Sequence, residues 1–350
     1  MKILVIGPSW IGDMMMSHSL YQNLKSANPN IIIDVMAPSW SHPLLLRMPE
    51  VNEALLMPLG HGVIKLMERW SLSKKLRIKH YDQAFVLPGS FKSAIIPFFA
   101  AIPQRTGWRG EMRYGLLNDI RILNRTALPL MVQRYVALSY QKSYTDNAKN
   151  LPQPFPMPKL KVHEEEKHIT LKTFGLCNTD RPIIGLCPGA ASGLSKQWPY
   201  YHYATLAKNL IAKGYQILTL GSMHEQSTSQ KILLSIPNTM RNYYHNLVGY
   251  THLEEAIIML SCCHTVISND SGLMHITAAL DRPLIALYGL SNPEFTPPLS
   301  KKARIIHAMN KYHRLRRKSA STGYHQSLVN IKPDRVMYEM EELHDNTIKG

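Results

Sequence analysis

Proline occupies every second position from 152 to 158, in the stretch LPQPFPMPKL that spans residues 151–160. Each proline lacks a backbone N–H donor and has a fixed φ, so this stretch is incompatible with a helix or a central strand. It predicts an extended, fairly stiff linker between two folded parts of the chain. A chain of 350 residues also exceeds the size of most single hydrophobic cores, which favours two domains.

Short apolar runs alternate with helical patterns on both sides of this linker. Before it, the pattern predicts strands at 2–6, 31–36, 54–57 and 84–87, and helices at about 14–26, 63–79 and 131–144. After it, the pattern predicts strands at 183–187, 216–220, 265–268 and 284–287, and helices at about 201–213, 253–262 and 272–280. This alternation indicates an α/β fold with two Rossmann-like domains, each built on a parallel sheet.

The position of the linker gives the predicted domain bounds. Residues 1–150 form the first Rossmann-like domain, 151–160 the linker and 161–332 the second Rossmann-like domain. Residues 333–350 contain a last helix, from about 334 to 343, which follows Pro333 and is a candidate to pack back on the first domain.

The chain is strongly basic, with 40 Lys and Arg against 24 Asp and Glu and a net charge of +16. Such an excess attracts nucleic acid, an anionic membrane face or phosphorylated substrates, or it reflects a solvated surface. Part of it is concentrated in residues 301–318, which hold eight Lys or Arg and no acid, and in arginines at 105, 109, 113, 121 and 125. Nucleic-acid binding rests on this charge alone, because no RRM, KH or helix-turn-helix signature accompanies it.

The sequence predicts a cytoplasmic protein. No apolar run approaches the roughly 20 residues of a membrane-spanning helix, and the apolar stretch after Met1 is too short for a signal peptide. The four cysteines show neither CxxC spacing nor a disulfide framework, which is typical of a reducing compartment.

In open α/β sheets ligands bind at the carboxyl ends of strands, so the loops there are the candidate sites. The loop GPSWIGD at 7–13 follows the first strand and is neither a Walker loop nor a GxGxxG fingerprint. It presents Asp13 at the start of a helix. Asp13 is either a helix N-cap or a general base whose ionised form the helix N-terminus favours.

Two loops of the second half resemble anion sites. Residues 187–199 combine small residues with Lys196 before a helix, which indicates an anion cradle or an ordinary surface loop. Residues 268–275 read SNDSGLMH: Asp270 is a natural N-cap, Ser271 and Gly272 expose amides, and this helix start predicts a diphosphate site. His275 lies four residues beyond Ser271 on the same helix face, where a functional role competes with a structural one.

Metal-binding motifs are missing from the sequence. It has no Asp-x-Asp pair for a divalent cation on a diphosphate, and no HExxH or CxxC pairing for zinc. We therefore expect no metal and no other cofactor. A leaving diphosphate would be neutralised by Lys196 and by helix N-termini.

Six stretches carry a resemblance to a known family. They are GPSWIGDMMMSHSLY from Gly7, MPEVNEALLMPLGHG from Met48, RTGWRGEMRYGLLND from Arg105, NDSGLMH from Asn269, FTPPLSKKAR from Phe295 and GYHQSL from Gly323. Through them the chain resembles the bacterial ADP-heptose:lipopolysaccharide heptosyltransferases, GT-B glycosyltransferases of family nine, and in particular their type II members. The likeness runs from Met1 to about Val336.

The resemblance implies inverting, metal-independent transfer of L-glycero-D-manno-heptose from ADP-heptose to the first heptose of the lipopolysaccharide inner core. It implies a peripheral location on the cytoplasmic face of the inner membrane, with Asp13 as the base and Lys196 on the diphosphate. The other implied donor-binding residues are Ser192, Glu225, Thr251, Asp270, Ser271, Gly272 and His275. Arg105, Arg109, Arg113 and the basic stretch 301–318 are expected to hold the anionic, lipid-anchored acceptor or the anionic membrane.

Other functions compete with this interpretation. Heptosyltransferases of type I or III differ in their acceptor, and the match at 105–119 favours type II. An NAD-dependent oxidoreductase would need a glycine fingerprint, which neither half contains.

Overall fold

The computed structural model describes residues 1–60, 62–142, 151, 154–177, 180–190, 193–308 and 323–348. The chain forms two compact units, Met1–Pro158 and Lys159–Gly350. The division falls inside the proline-rich stretch, whose described residues 154–160 belong to no helix or strand.

Strands and helices alternate along the first unit. In its described residues the strands are β1 (Lys2–Ile6), β2 (Ile32–Ala37), β3 (Glu53–Leu56), β4 (Gln83–Val86), β5 (Gln104–Trp108) and β6 (Asp119–Arg121). The α-helices there are α1 (Ile11–Ala27), α2 (His42–Leu45), α3 (Leu66–Arg77), α4 (Phe91–Phe99) and α5 (Met131–Val136). The helix predicted from 131 is therefore shorter than expected, because a 3-10 turn at Ala137–Ser139 ends it.

The same alternation runs through the second unit. In its described residues the strands are β7 (Ile183–Cys187), β8 (Gln216–Thr219), β9 (Tyr244–Asn246), β10 (Thr265–Asn269), β11 (Leu284–Tyr288) and β12 (Ala303–His307). The α-helices there are α6 (Glu164–Thr173), α7 (Tyr200–Ala212), α8 (Gln226–Leu234), α9 (Leu253–Cys262), α10 (Gly272–Ala279), α11 (Gln326–Val329) and α12 (Pro333–Ile348).

Each unit contains one parallel sheet, and the two sheets share a topology. The first has the order β3-β2-β1-β4-β5-β6 and the second β12-β11-β10-β7-β8-β9. Read from its other edge, the second sheet has the order β9-β8-β7-β10-β11-β12, so both sheets have the strand order 3-2-1-4-5-6 of a doubly wound Rossmann fold. The strand order reverses between β1 and β4 and again between β7 and β10, and these switch points are where such sheets bind ligands.

The central strands are buried along almost their whole length because helices cover both faces of a parallel sheet. All residues of β7 and β10 are buried, as are four of the five in β1. The second core also encloses Trp198 and Tyr203, both fully buried. Burial of this apolar surface holds the loops at the strand ends in place.

The C-terminal helix α12 packs on its own unit, against α7, β11 and β12. Val336, Met340 and Leu343 enter the core of that unit. Packing of this helix against the first half of the chain stays a prediction. Of the helices that the structure describes, none is both long enough and apolar enough to cross a membrane.

Candidate active site

A cavity of about 490 Å³ lies in the first unit at the carboxyl ends of β1 and β4. The loops that follow these two strands form much of its wall, and Asp13 lies in it. The lining also includes the aromatic and basic side chains of Trp10, Trp40, Arg69, Lys92 and Tyr135 and the carboxylate residue Glu111. The cavity therefore occupies the switch point of the first sheet, as expected for a ligand site.

Asp13 is the third residue of α1, whose N-cap is Trp10. The N-cap interpretation of Asp13 is therefore wrong, and its carboxylate lines the cavity instead. Burial raises the pKa of this carboxylate, and a hydrogen bond from Tyr135 partly offsets the rise. A carboxylate with a raised pKa accepts a proton more readily than an exposed one, which suits a general base.

Tyr135 donates its hydroxyl to Asp13 Oδ1 at 3.2 Å. Burial and the neighbouring charge of Asp13 raise the pKa of Tyr135 well above its usual value, so the phenol keeps its proton and remains a donor. The packing of α5 against α1 brings the two residues together. Sequence patterns missed Tyr135, because nothing local marks a tyrosine in a short apolar helix as part of a site.

The three arginines predicted to bind the acceptor differ in their surroundings. Arg105 donates to the carbonyls of Ile102 and Leu116 at 2.6 and 2.7 Å. Arg109 directly follows the last residue of β5, and its side chain is exposed.

Arg113 is buried and donates to the carbonyls of Pro88, at 2.6 Å, and Trp108. It therefore ties the loop after β4, which lines the cavity, to the end of β5. This geometry favours loop-holding roles for Arg105 and Arg113 and leaves Arg109 as the arginine presented at the surface.

Asn269, the last residue of β10, connects the loops of the second unit. Its buried amide nitrogen donates to the carbonyl of Pro188 at 2.7 Å. Its amide oxygen accepts from the Trp198 backbone N–H at 3.0 Å and from the Tyr203 hydroxyl at 3.2 Å. One side chain thus holds the chain after β7 and the start of α7 against the end of β10. The sequence motif contains Asn269, but nothing in the motif assigns it this role.

Lys196 and Asp270 form an ion pair at this end of the sheet, with Lys196 Nζ 3.3 Å from Asp270 Oδ2. Asp270 is not the N-cap of α10, as the pattern favoured; Ser271 occupies that position. Gly272 is the first helical residue, so Ser271 and Gly272 lie where backbone amides point out of the helix start. The ammonium group and the helix start together form an arrangement suited to an anion.

His275 lies one turn into α10 and is buried. Burial lowers the pKa of its imidazole, and the charge of Asp270 opposes that change in part. The ring is therefore neutral near pH 7 and has one nitrogen to donate and one to accept a hydrogen bond.

Glu225 lies beside the loop after β7. Its Oε2 accepts from the backbone N–H of Ser222 at 2.8 Å and from the Ser222 hydroxyl at 2.7 Å. A Cβ at Gly189 would lie 2.8 Å from Glu225 Cγ and Cδ, so only glycine allows this close approach. Thr251 is half-buried just before α9, and Ser192 lies outside the described residues.

The ends of β7 and β10 thus gather most of the predicted donor residues. Lys196, Asp270, Ser271, Gly272 and His275 lie at one switch point. The described part of the chain contains no group of three or more His, Cys, Asp or Glu side chains that could hold a metal ion. Of the basic stretch 301–318, only 301–308 are described.

Comparison with known proteins places the chain in a family. Residues 69–325 match the family model "Glycosyltransferase family 9 (heptosyltransferase)". Lipopolysaccharide heptosyltransferase 2 of Salmonella typhimurium is 57% identical over 343 residues, 98% of either chain. Lipooligosaccharide heptosyltransferase 2 of Haemophilus ducreyi is 50% identical over 349 residues, 98% of this chain and 99% of that one.

A solved structure gives the same result. The chain aligns with ADP-heptose lipopolysaccharide heptosyltransferase II of E. coli at a TM-score of 0.90 and 53% identity, over 98% of both chains. Its two Rossmann-like units are accordingly those of a GT-B glycosyltransferase. The chain belongs to glycosyltransferase family 9, the heptosyltransferases.

Proposed function

We propose that this protein transfers L-glycero-D-manno-heptose from ADP-heptose to the first heptose of the lipopolysaccharide inner core. The observation that carries the proposal is full-length identity of 50 to 57% with proteins named heptosyltransferase 2. Both switch points support it, because one offers a base in a cavity and the other an anion site. Transfer to a different core acceptor, as by type I or type III enzymes, is the alternative.

In the proposed reaction Asp13 removes the proton from the acceptor hydroxyl. The oxygen then attacks the anomeric carbon of the heptose as the bond to the diphosphate breaks, which inverts that carbon. The raised pKa of Asp13 supports this role because a carboxylate with a higher pKa is a stronger proton acceptor. The cavity beside it supplies room for a sugar.

Lys196 and the start of α10 are proposed to bind the diphosphate of the donor. Negative charge grows on the leaving ADP, and a fixed ammonium group with backbone amides stabilises it without the rearrangement that water requires. The ion pair with Asp270 supports the role of Lys196 because it holds the ammonium near the helix start. We propose that these groups suffice and that no metal ion takes part.

Further donor contacts are proposed for His275, Glu225, Thr251 and Ser192. A neutral imidazole at the start of α10 can hydrogen-bond the phosphates or the sugar. Glu225, with one carboxylate oxygen occupied by Ser222, is suited to a ribose hydroxyl.

The acceptor is proposed to be lipid-anchored and anionic, and the protein to act at the cytoplasmic face of the inner membrane. Arg109 at the surface and Lys92 in the cavity wall are the cations of the first unit best placed to meet such an acceptor. The net charge of +16 favours both an anionic acceptor and an anionic membrane.

The test is ADP release by purified protein given ADP-heptose and monoheptosylated Kdo-lipid A, with and without EDTA. Mass spectrometry of the acceptor should show a gain of one heptose, at a rate that EDTA leaves unchanged. Turnover only on the acceptor that lacks heptose would identify a type I enzyme. Absence of turnover on either acceptor would overturn the proposed reaction.

A further inference from the structure

The first half of helix α3 exposes three apolar side chains, while two polar side chains of the helix face the core. Arg69 and Ser73 face inward with Leu76 and are nearly inaccessible. Leu66, Met67 and Trp70 are exposed to 51, 71 and 40%. A helix on the surface of a globular protein normally has the opposite pattern, so its outward face is suited to a non-aqueous partner.

Hydrogen bonds show that this orientation is built into the fold. Arg69 donates through Nε to the carbonyl of Ile64 at 2.6 Å and through one terminal nitrogen to the carbonyl of Lys92 at 3.0 Å. The hydroxyl of Ser73 donates to the carbonyl of Ile96 at 3.0 Å. The buried polar groups are therefore satisfied by backbone, and rotation of the helix would leave them unpaired.

The turn before α3 extends the exposed apolar surface. Arg69 also holds this turn, which presents Val63 and Ile64 to solvent. Lys65, the N-cap residue, has φ +43, a left-handed conformation that costs free energy in a non-glycine residue. Such a conformation persists because surrounding contacts determine it. We call Val63, Ile64, Leu66, Met67 and Trp70 the α3 patch.

Basic residues surround the α3 patch. Lys74 Nζ lies 3.5 Å above the ring centre of Trp70, and Lys75 is exposed beside it. Glu68, the acidic residue of the helix, forms an ion pair in which its Oε1 lies 3.6 Å from Lys65 Nζ. Apolar side chains that include a tryptophan, combined with lysines on the same surface, are typical of helices that lie in the interface of an anionic membrane.

We propose that the α3 patch docks this protein on an anionic phospholipid bilayer. Leu66, Met67 and Trp70 would enter the headgroup region, and Lys74 and Lys75 would meet the lipid phosphates. A second copy of this chain fits less well, because two such patches would bring like charges together.

The position of the patch suits the proposed reaction, on which this inference partly rests. Arg69, which donates to the backbone carbonyl of Lys92, lines the cavity that contains Asp13, and so does Lys92. A protein docked through α3 would therefore hold this cavity next to the membrane, where the sugars of a lipid-anchored acceptor lie.

The experiment is co-sedimentation of the full chain with vesicles, without donor or acceptor. One set contains phosphatidylcholine alone and the other about one third phosphatidylglycerol. We expect binding to the anionic vesicles that weakens in high salt, and at least about tenfold weaker binding for the double variant Met67→Ser/Trp70→Ser. Lys74→Glu/Lys75→Glu should remove the preference for phosphatidylglycerol. The matched control is Leu234→Ser/Tyr338→Ser, which removes two similarly exposed apolar side chains of the second unit.

A separate assay keeps this inference distinct from the proposed function. Met67→Ser/Trp70→Ser should turn over a soluble, lipid-free core oligosaccharide at the wild-type rate and keep the wild-type Tm. Failure of the wild type to bind anionic vesicles, or an equal loss of binding in the control, would overturn the docking surface. So would a wild-type dimer that the variant converts to a monomer while vesicle binding stays unchanged. Absence of turnover by the wild type would bear on the proposed reaction alone.

Discussion

The two units have the same sheet order but different chemistry at their switch points. The first places Asp13 in a cavity whose walls include Trp10 and Trp40, and a buried tyrosine lowers the pKa of this carboxylate. The second gathers an ion pair, a helix start and a neutral imidazole around a buried asparagine. The N-cap residues also differ: Trp10 precedes α1, whereas Ser271, which follows an aspartate, precedes α10.

This difference separates what topology determines from what loop residues determine. Strand order decides where a ligand can bind, because loops from β1 and β4, or from β7 and β10, meet at the same place. Loop residues decide which ligand binds. Burial raises the pKa of Asp13, which suits a base, while Lys196 and the backbone amides near Asp270 suit an anion.

The largest effect is expected for Asp13→Asn, which removes the proposed base of the first unit. An amide cannot accept the proton, so kcat should fall about 10²- to 10⁴-fold while the KM for ADP-heptose changes little. The Tm should not fall, because the neutral side chain avoids the cost of burying a charge. Asp281→Asn, at a surface carboxylate paired with Lys302, is the matched control. If Asp13→Asn kept the wild-type kcat, Asp13 would not be the general base.

Lys196→Ala should show the corresponding loss in the second unit. Without the ammonium group the leaving diphosphate is less stabilised, so kcat/KM for ADP-heptose should fall about 10²-fold. Because Lys196 also pairs with Asp270, the double variant with Asp270→Asn should lose less than the sum of the two single losses. Steady-state kinetics of the four proteins measures the coupling, and strictly additive losses would contradict a shared role. Lys302→Ala, which breaks the surface ion pair with Asp281, is the control.

Asn269→Ala tests whether the second site depends on one connecting side chain. The change leaves a buried carbonyl at Pro188 and a buried N–H at Trp198 without their partner, which should cost about 2–4 kcal/mol of unfolding free energy. Denaturant unfolding measures this cost, and calorimetry should show weaker ADP binding. Asn246→Ala is the control, because its amide oxygen accepts a local bond from the backbone N–H of Val248, two residues away. Unchanged stability and ADP binding in Asn269→Ala would show that the loops hold their positions without it.

The central strands could be predicted from the sequence because they are fully buried. The bounds predicted for β1 and β7 agree with the structure, since an unbroken apolar run leaves little choice. The inner strand β5 and the edge strands β6, β9 and β12 escaped prediction because they are short or partly polar and only partly buried. A strand at a sheet edge is determined by pairing with its neighbour, and no local pattern reports that pairing.

Some residues of the candidate site could likewise be predicted from the sequence, and others could not. Asp13, Lys196 and the 270–275 segment could be located because they follow strands directly along the chain. Charge alone selected Arg105 and Arg113, and it could not show that their guanidinium groups bind backbone carbonyls. Tyr135 lies 122 residues from Asp13 and reaches it only because α5 packs on α1. Contacts between distant segments need the tertiary structure.

The smallest effect is expected for Tyr135→Phe, which keeps the ring and removes the hydroxyl that donates to Asp13. That hydrogen bond stabilises the charged carboxylate and so lowers the pKa of Asp13, against the larger effect of burial. Its loss should raise this pKa and move the acid limb of the kcat/KM profile to higher pH, by roughly half to one pH unit for a bond of about 1 kcal/mol.

Activity of Tyr135→Phe should therefore fall below wild type on the acid side of the profile and approach it as the pH rises. Tyr140→Phe removes a comparable hydroxyl, bonded to Asn23 at 2.8 Å, and should leave the profile in place. A uniform loss at all pH values would assign Tyr135 to packing. A shift to lower pH would mean that the hydroxyl does not stabilise the ionised form of Asp13, because only a donor to the carboxylate gives the expected sign.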